Sequence, residues 1–139
     1  MGMLETILGA GLLFLLDWRS KQAVSGLAAN GGLAVGPMLR IRRVAHTSAL
    51  YRSGKFRGFL AATWLVALAS AILLHRLGAR FQSPVALWGL GAAFGGAAGN
   101  LRDIFRWHYV VDFIDLGWWP VFNLADVAIV AGLAAAFLG

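Results

Sequence analysis

Two aspartates near the carboxyl end of the chain, Asp112 and Asp126, have the type and spacing that acid–base chemistry could use. Thirteen residues separate them, and a predicted helix start intervenes, so a folded-back connection could bring their carboxyl groups together. Two carboxyls at close range in a low-dielectric site resist joint ionisation, and one keeps a proton. One could then take a proton from water while the other donates one to a carbonyl oxygen, as in aspartic proteases. The alternative is that these carboxylates only cap a helix start.

Asp126 lies inside the last apolar run of the chain. A charge in a membrane helix costs roughly 2.5–3.5 kcal/mol on insertion scales, which makes such a residue a functional candidate. Asn123 precedes it by three positions and is predicted to share its helix face. Pro120 predicts the start of this helix, because proline is tolerated in a first turn. The prediction therefore places Asn123 and Asp126 in the first two turns, near the membrane surface.

The other reactive side chains fit other catalytic classes poorly. The chain has no cysteine, which excludes disulfides, thiolate nucleophiles and cysteine-ligated metals. Its histidines are scattered and its one glutamate is Glu5, so the His-Glu-x-x-His zinc pattern is absent. The Gly-x-Ser-x-Gly and phosphate-loop patterns are absent as well. We therefore predict no metal and no cofactor.

The composition indicates a membrane protein. Of 139 residues, 60% are hydrophobic and 13% are charged, about half the charged share of a soluble domain, and the mean hydropathy is +0.74. Four apolar runs predict membrane spans at residues 1–17, 58–75, 81–101 and 118–138. Lipid requires internal backbone hydrogen bonding, so the runs should be helices. We predict one domain over residues 1–139, an all-α integral membrane protein with four transmembrane helices; a soluble protein with buried helices is the alternative.

The basic residues lie between the apolar runs. The net charge is +6, and eight of the twelve basic residues fall within residues 18–57. This arrangement indicates contact with membrane lipid rather than with nucleic acid. Within this segment, residues 38–44 partly alternate apolar and basic side chains, which predicts a short strand on the interface.

Three glycines of the third span, Gly91, Gly95 and Gly99, recur every fourth residue. Glycines at this spacing form one stripe of a helix and allow another backbone to approach closely. Such a stripe can pack inside a helix bundle or join two copies of a helix. We favour packing inside the bundle.

Several sequence blocks resemble those of one known family. GGAAGNLRD (residues 95–103), VVDFID (110–115) and FNLAD (122–126) occur in this order, and DWRSK (17–21) and NGGLAV (30–35) precede them. Together they resemble bacterial lipoprotein signal peptidase, also called signal peptidase II. The three later blocks are highly specific in combination, and the resemblance covers most of the chain.

The resemblance implies a four-helix integral membrane aspartic endopeptidase. Such an enzyme removes signal peptides from diacylglyceryl-modified prolipoproteins, cutting before the lipidated cysteine. The implied catalytic pair is Asp112 and Asp126. The implied partners are prolipoprotein substrates and membrane phospholipid, with no nucleic acid, and the implied state is a monomer. The implied location is the bacterial cytoplasmic (inner) membrane, with several spans and an active site near the extracytoplasmic face.

The resemblance also implies residues that bind substrate or support the site. These are Asn30, Asn100, Asp103, Asn123, Asp17 and Lys21. It places the small segment between the first two helices, which includes the strand predicted above, on the extracytoplasmic side. The positive-inside rule instead favours the cytoplasm for residues 18–57. We follow the resemblance, because its motifs are more specific than a count of charges.

The sequence departs from the family pattern at Ile104, which stands where the family has an arginine after Asp103. Arg102 and Arg106 lie two positions to either side, which points them to other faces of a helix. This departure motivates an alternative function. The chain would then be a catalytically weak, divergent paralogue that binds lipopeptides or a membrane partner.

Overall fold

Four helices and a small antiparallel sheet make up the computed structural model, which describes residues 2–27 and 31–139. The elements in chain order are α1 (Gly2–Leu27), β1 (Leu33–Val35), β2 (Leu39–Thr47), a 3-10 helix (Ala49–Arg52), α2 (Gly54–Arg76), α3 (Pro84–Trp107), β3 (Tyr109–Asp115) and α4 (Leu124–Leu138). The helices α1 and α3 each continue six residues or more past the carboxyl ends of the predicted spans. The added turns include the buried polar side chains of Lys21 and Asp103.

The central helix is α3, which packs against α1 on one side and α4 on the other. Glycines make both contacts possible. A methyl group added at Gly95 would collide with the backbone of Ala10, and one added at Gly89 would lie 2.6 Å from the carbonyl oxygen of Gly132. Gly91 likewise meets the backbone of α1. The predicted packing of the glycine stripe inside the bundle is confirmed.

The helix α2 stands apart from this three-helix unit. Its one buried residue is Ala71, and the indole nitrogen of Trp64 donates a hydrogen bond of 3.2 Å to the carbonyl of Phe94 on α3. Within the described ranges, α2 is also the one helix that is both long and apolar enough to cross a membrane. The helix α4 is apolar but has 15 residues.

The sheet has the strand order β1-β2-β3 with antiparallel pairing. Its middle strand confirms the strand predicted at residues 38–44. The all-α expectation, with β-structure only between the first two helices, is incomplete, because β3 comes from the connection between α3 and α4. This segment is rich in β-branched and aromatic residues, which favour a strand, and β2 supplies a partner for it. Pairing places Asp112 opposite Val44.

The helix α4 starts later than predicted. Phe122 still belongs to extended chain, because its backbone N–H and carbonyl both bond to Ile114, at 3.1 and 2.8 Å. Pro120 therefore precedes the helix by several residues and does not start it. Asn123 is the N-cap residue instead.

Candidate active site

The side chain of Asn123 is fully buried at the amino end of α4. Its Oδ1 accepts a hydrogen bond of 2.9 Å from the backbone N–H of Asp126, and Asp126 Oδ2 accepts one of 3.1 Å from the backbone N–H of Asn123. This reciprocal arrangement is a capping box, which satisfies two N–H groups that the first turn leaves free. It also fixes the position of the Asp126 carboxylate at the start of the helix.

The amide group of Asn123 joins three elements. Its Nδ2 donates to Asp112 Oδ1 at 2.8 Å, to Asn100 Oδ1 at 2.9 Å and to the carbonyl of Val111 at 3.2 Å. These acceptors lie on β3 and α3, while Asn123 itself begins α4. One buried amide therefore fixes the ends of all three elements relative to one another.

Asn100 completes the link between the two aspartates. Its Nδ2 donates to Asp126 Oδ1 at 2.9 Å, while its Oδ1 accepts from Asn123 and from Lys21 Nζ, the latter at 3.0 Å. The amide of Asn100 has a single favourable orientation, because its oxygen accepts from two donors and its nitrogen donates to a carboxylate. Asp112 and Asp126 are thus held in one continuous network through Asn123 and Asn100.

Lys21 is a buried cation between two carboxylates. Its Nζ lies 2.6 Å from Asp17 Oδ2 and 2.8 Å from Asp103 Oδ2, and all three side chains are almost inaccessible to solvent. A buried charge needs such partners, because its desolvation costs several kcal/mol when it is unpaired. These three residues tie α1 to α3 next to the network.

The two carboxylates that hold Lys21 also support the backbone beside the network. Asp17 Oδ1 accepts from the N–H of Ala125 at 2.9 Å, and Asp103 Oδ2 accepts from the N–H of Val111 at 3.3 Å. Each of these backbone groups immediately precedes one of the two aspartates of the network. The cluster around Lys21 therefore positions the chain on which Asp112 and Asp126 are carried.

Asp112 differs electrostatically from Asp115, three residues later in the same strand. Burial, and next the negative charge of Asp126, raise the pKa of Asp112 from 3.8 to about 6. A hydrogen bond from Arg42 lowers the pKa of Asp115, which lies at the sheet surface. The pKa of a buried carboxyl rises because its charged form loses hydration. Asp112 is thus the carboxyl of this strand that can hold a proton close to neutral pH.

Both aspartates of the network line one cavity of about 420 Å³. His46, Tyr51 and Val121 line it as well. A second, almost wholly apolar cavity of about 570 Å³ extends from it between α2, α3 and α4. The two cavities share Leu60, Asn100 and Ile104. The arrangement places two linked carboxyl groups at the polar end of a long apolar groove.

The structure brings together all but one of the residues that the sequence singled out. Asp17, Lys21, Asn100, Asp103, Asp112, Asn123 and Asp126 form the connected set described above. Asn30 lies outside the described residues. Within residues 2–27 and 31–139, no group of three or more His, Asp or Glu side chains has the arrangement of a metal site.

Ile104 is buried and lines both cavities. The helix is regular around it, so the two neighbouring arginines point elsewhere: Arg102 stacks on Trp18 and Arg106 on Trp107. Neither arginine takes the place of the one missing after Asp103.

Sequence reasoning missed His46, whose Nδ1 lies 3.7 Å from Asp112 Oδ2. The signal was the strand at residues 38–44, which continues through His46. Once β3 is recognised as its partner, the pairing of Val44 with Asp112 and of His46 with Val110 puts the imidazole beside the carboxyl. The prediction treated this histidine as isolated because β3 was not foreseen.

Comparisons with known proteins identify the family of the chain. The family model described as signal peptidase (SPase) II matches residues 9–139. A lipoprotein signal peptidase of Pelotomaculum thermopropionicum is 37% identical over 123 residues, which cover 87% of this chain and 81% of that protein. One of Syntrophomonas wolfei is 49% identical over 79 residues, which cover 57% of this chain and 51% of that protein.

Two solved structures share the fold. A bacterial membrane enzyme determined by the in meso method at 1.9 Å resolution superposes with a TM-score of 0.77 and 25% identity, covering 96% of this chain and 90% of that one. Another, at 2.3 Å resolution, gives a TM-score of 0.73 at 23% identity, covering 96% and 85%. With a family match over almost the whole length, the chain belongs to the signal peptidase II family, membrane proteases that process lipoproteins.

Proposed function

We propose that the protein is an aspartic endopeptidase that removes signal peptides from diacylglyceryl-modified prolipoproteins, cutting before the lipidated cysteine. One observation carries this proposal. Asp112 and Asp126 line the same cavity and are linked through the amides of Asn123 and Asn100. Linked carboxyls of this kind can divide the roles of acid and base between them.

The proposed reaction uses the different surroundings of the two carboxyls. Asp126, whose oxygens both accept hydrogen bonds, takes a proton from water as the water oxygen bonds to the scissile carbonyl carbon. Asp112, with its raised pKa, gives its proton to the carbonyl oxygen. As the resulting diol collapses, Asp112 takes back a proton from one of its hydroxyls, Asp126 gives its proton to the peptide nitrogen, and the C–N bond breaks. The products are a carboxyl on the signal peptide and a free amine on the cysteine.

The apolar groove fits the proposed substrate. A signal peptide and the acyl chains of a diacylglyceryl group are apolar, and the groove between α2, α3 and α4 is lined almost wholly by apolar side chains that include Trp64, Phe94 and Leu133. Its polar end coincides with the two aspartates through the shared lining residue Asn100. Substrate lying in the groove would thus bring its peptide bond to the carboxyls.

We propose that all four helices cross the cytoplasmic membrane and that the site lies near its extracytoplasmic face. Trp118 and Trp119 are exposed in the connection between β3 and α4, as expected of aromatic side chains at a membrane interface. Four crossings would place the carboxyl terminus in the cytoplasm. A reporter fused after Gly139 tests this placement, and a reporter found outside would contradict it.

Ile104 favours a second candidate, a divergent paralogue that binds lipopeptides without cutting them efficiently. Its side chain is buried and apolar, so it cannot supply the hydrogen bonds of an arginine to a substrate or to the site. Under this alternative, the groove and the carboxyl network would serve binding alone.

Cleavage of a defined substrate distinguishes these candidates. The purified protein is incubated with a prolipoprotein carrying the diacylglyceryl group, and with the same prolipoprotein unmodified, and the products are identified by mass spectrometry. We expect one cut immediately before the modified cysteine and none in the unmodified protein. Binding without a cut would support the paralogue, and a cut elsewhere would contradict both.

A further inference from the structure

A third cavity lies on the other side of the sheet from the two aspartates. Its volume is about 370 Å³, and its lining includes Trp18, Arg43, Arg102, Arg106, Trp107 and Tyr109. Successive residues of a strand point to opposite faces, so Val111 lines this cavity while Asp112 lines the cavity of the aspartates. We call it the arginine cavity.

Each of the three arginines lies over an aromatic ring. Arg102 is 5.4 Å from the ring centre of Trp18, and Arg106 is 5.0 Å from that of Trp107. Arg43 is 5.7 Å from the ring of Tyr109 and donates a hydrogen bond of 2.8 Å to its hydroxyl. Stacking holds a guanidinium plane in place and leaves N–H groups at its edge for an acceptor.

The arginine cavity carries net positive charge. Among the side chains that the structure describes, Asp103 is the one carboxylate within salt-bridge range of the three arginines, with its Oδ1 3.7 Å from Arg102. Asp103 is buried and its other oxygen pairs with Lys21. It therefore leaves most of the charge of the arginines uncompensated. An anion with several oxygens, such as a phosphate diester, can accept from guanidinium groups in pairs.

The position along α1 places this cavity at the level of lipid headgroups. Leu8, Leu12 and Leu15 are each exposed by half or slightly more, which suits contact with acyl chains. Trp18 and Arg19 follow three and four positions after Leu15, and tryptophan and arginine at the end of an apolar stretch are typical of the interface. A ligand reaching the cavity from the bilayer would present its headgroup there.

We propose that the arginine cavity binds the phosphate-bearing headgroup of an anionic phospholipid. The proposal depends on the membrane placement of α1 and α3 but not on catalysis by Asp112 and Asp126. Three observations support it: three guanidinium groups stack on aromatic rings, the cavity carries net positive charge, and it lies where the apolar surface of α1 ends.

The test measures how much lipid stays with the full chain. Protein purified in detergent is mixed with phosphatidylglycerol, with phosphatidylcholine, or with phosphatidylglycerol and excess inorganic phosphate, and bound lipid is counted by native mass spectrometry. We expect preferential retention of phosphatidylglycerol. At roughly fivefold for each basic residue, the double substitution Arg102→Gln, Arg106→Gln should weaken that retention about 10- to 30-fold.

The matched control is Arg76→Gln, Arg80→Gln, which removes two exposed arginines at the far end of α2 and should leave retention unchanged. Thermal unfolding checks that each variant is folded. If the double variant does not fold, Arg43→Gln on the exposed strand takes its place, with an expected loss of about fivefold. Equal losses in the control, equal retention of both lipids, or full displacement by inorganic phosphate would each overturn the proposal.

Discussion

The three-helix unit of α1, α3 and α4 and the separate helix α2 are packed very differently. In α3, eleven of 24 residues are buried, whereas α2 buries one of its 23. In the proposed mechanism, the first region holds the carboxyl groups whose relative positions decide whether the reaction occurs, so it needs close packing. The second forms a wall of the apolar groove, where the proposed lipid-modified substrate would enter from the bilayer. The contrast indicates a fixed site beside a weakly attached wall.

The polar contacts follow the same division. In the three-helix unit, buried side chains such as Lys21 and Asn123 connect the elements through several bonds each. The helix α2 has fewer such contacts. Arg57 contacts His108 Nδ1 at 3.2 Å near its amino end, Trp64 bonds to Phe94, and His75 Nδ1 contacts the carbonyl of Phe81 at 2.8 Å near its carboxyl end. Substitutions should therefore be costly in the first region and mild in the second.

The largest difference is expected for two lysines. Lys21→Met leaves Asp17 and Asp103 buried without their cation, and breaking a buried ion pair costs about 3–5 kcal/mol. Lys55→Met removes an exposed lysine from the first turn of α2 and should change the free energy of unfolding by less than about 0.5 kcal/mol. Unfolding in detergent with increasing denaturant measures both. Equal losses of stability would contradict the contrast between the two regions.

A second comparison uses two glycines. Gly95→Ala forces α1 away from α3, because the new methyl group would overlap the backbone of Ala10, and overpacking of this kind costs about 1–3 kcal/mol. Gly58→Ala places its methyl group on α2 in open space, where alanine favours the helix by up to about 1 kcal/mol. The two variants should thus shift the unfolding midpoint in opposite directions. A midpoint lowered by both would show that α2 is packed more closely than described.

A third comparison separates the two functions of Asn123. Asn123→Ala and Ser83→Ala each remove an N-cap, of α4 and α3 respectively, which costs about 1 kcal/mol. Asn123 also bridges Asp112 and Asn100, so its loss should in addition lower the cleavage rate about 10²-fold, as small misplacements of catalytic groups do. Cleavage assays at a temperature where both variants stay folded measure this. If Ser83→Ala slowed cleavage as much, the bridge would have no special role.

The smallest effect concerns pH. The proposed mechanism needs a protonated Asp112, whose pKa is raised to about 6, so cleavage should decline as pH rises through about 6. Because folding raises the pKa of Asp112 above its ordinary value of 3.8, its protonated carboxyl stabilises the fold fully below pH 3.8. This contribution to the free energy of unfolding is lost as pH rises through about 6.

His46→Gln should sharpen this result. A protonated imidazole lowers the pKa of Asp112, so its removal should move the decline of cleavage to higher pH. The shift should be less than about one pH unit, because the imidazole is 63% exposed and salt screens exposed charges. A pH–rate profile at fixed ionic strength measures it, with His75→Gln, at the far end of α2, as the control. A shift to lower pH would contradict the assigned contact.

The sequence predicted the helices and the candidate site residues better than it predicted the contacts that bring those residues together. The apolar runs and the spacing of Gly91, Gly95 and Gly99 are local patterns, and they were sufficient to predict the helix bundle and its close packing. The strand β3 was missed because its stabilising partner, β2, lies far away in the chain, and strand pairing is set by such distant contacts. Because β3 was not predicted, the position of His46 beside Asp112 was not predicted either.

The start of α4 was misplaced for a related reason. Pro120 satisfies the local rule for a helix start, but the bonds between Phe122 and Ile114 extend the chain for three more residues. The position of Lys21 between Asp17 and Asp103 joins α1 to α3, which are far apart in the chain. Spacing in sequence can suggest that these residues support the site, but it cannot show which backbone groups their carboxylates hold.

The central claim is that Asp112 and Asp126 act together as the catalytic pair. Single-turnover cleavage of a diacylglyceryl-modified prolipoprotein tests it most directly, with Asp112→Asn, Asp126→Asn and, as the matched control, Asp115→Asn from the surface of the same strand. We predict that the first two lose about 10³-fold or more in rate while remaining folded, and that the third stays within about threefold of the unsubstituted protein. Near-normal cleavage by either of the first two would contradict the claim.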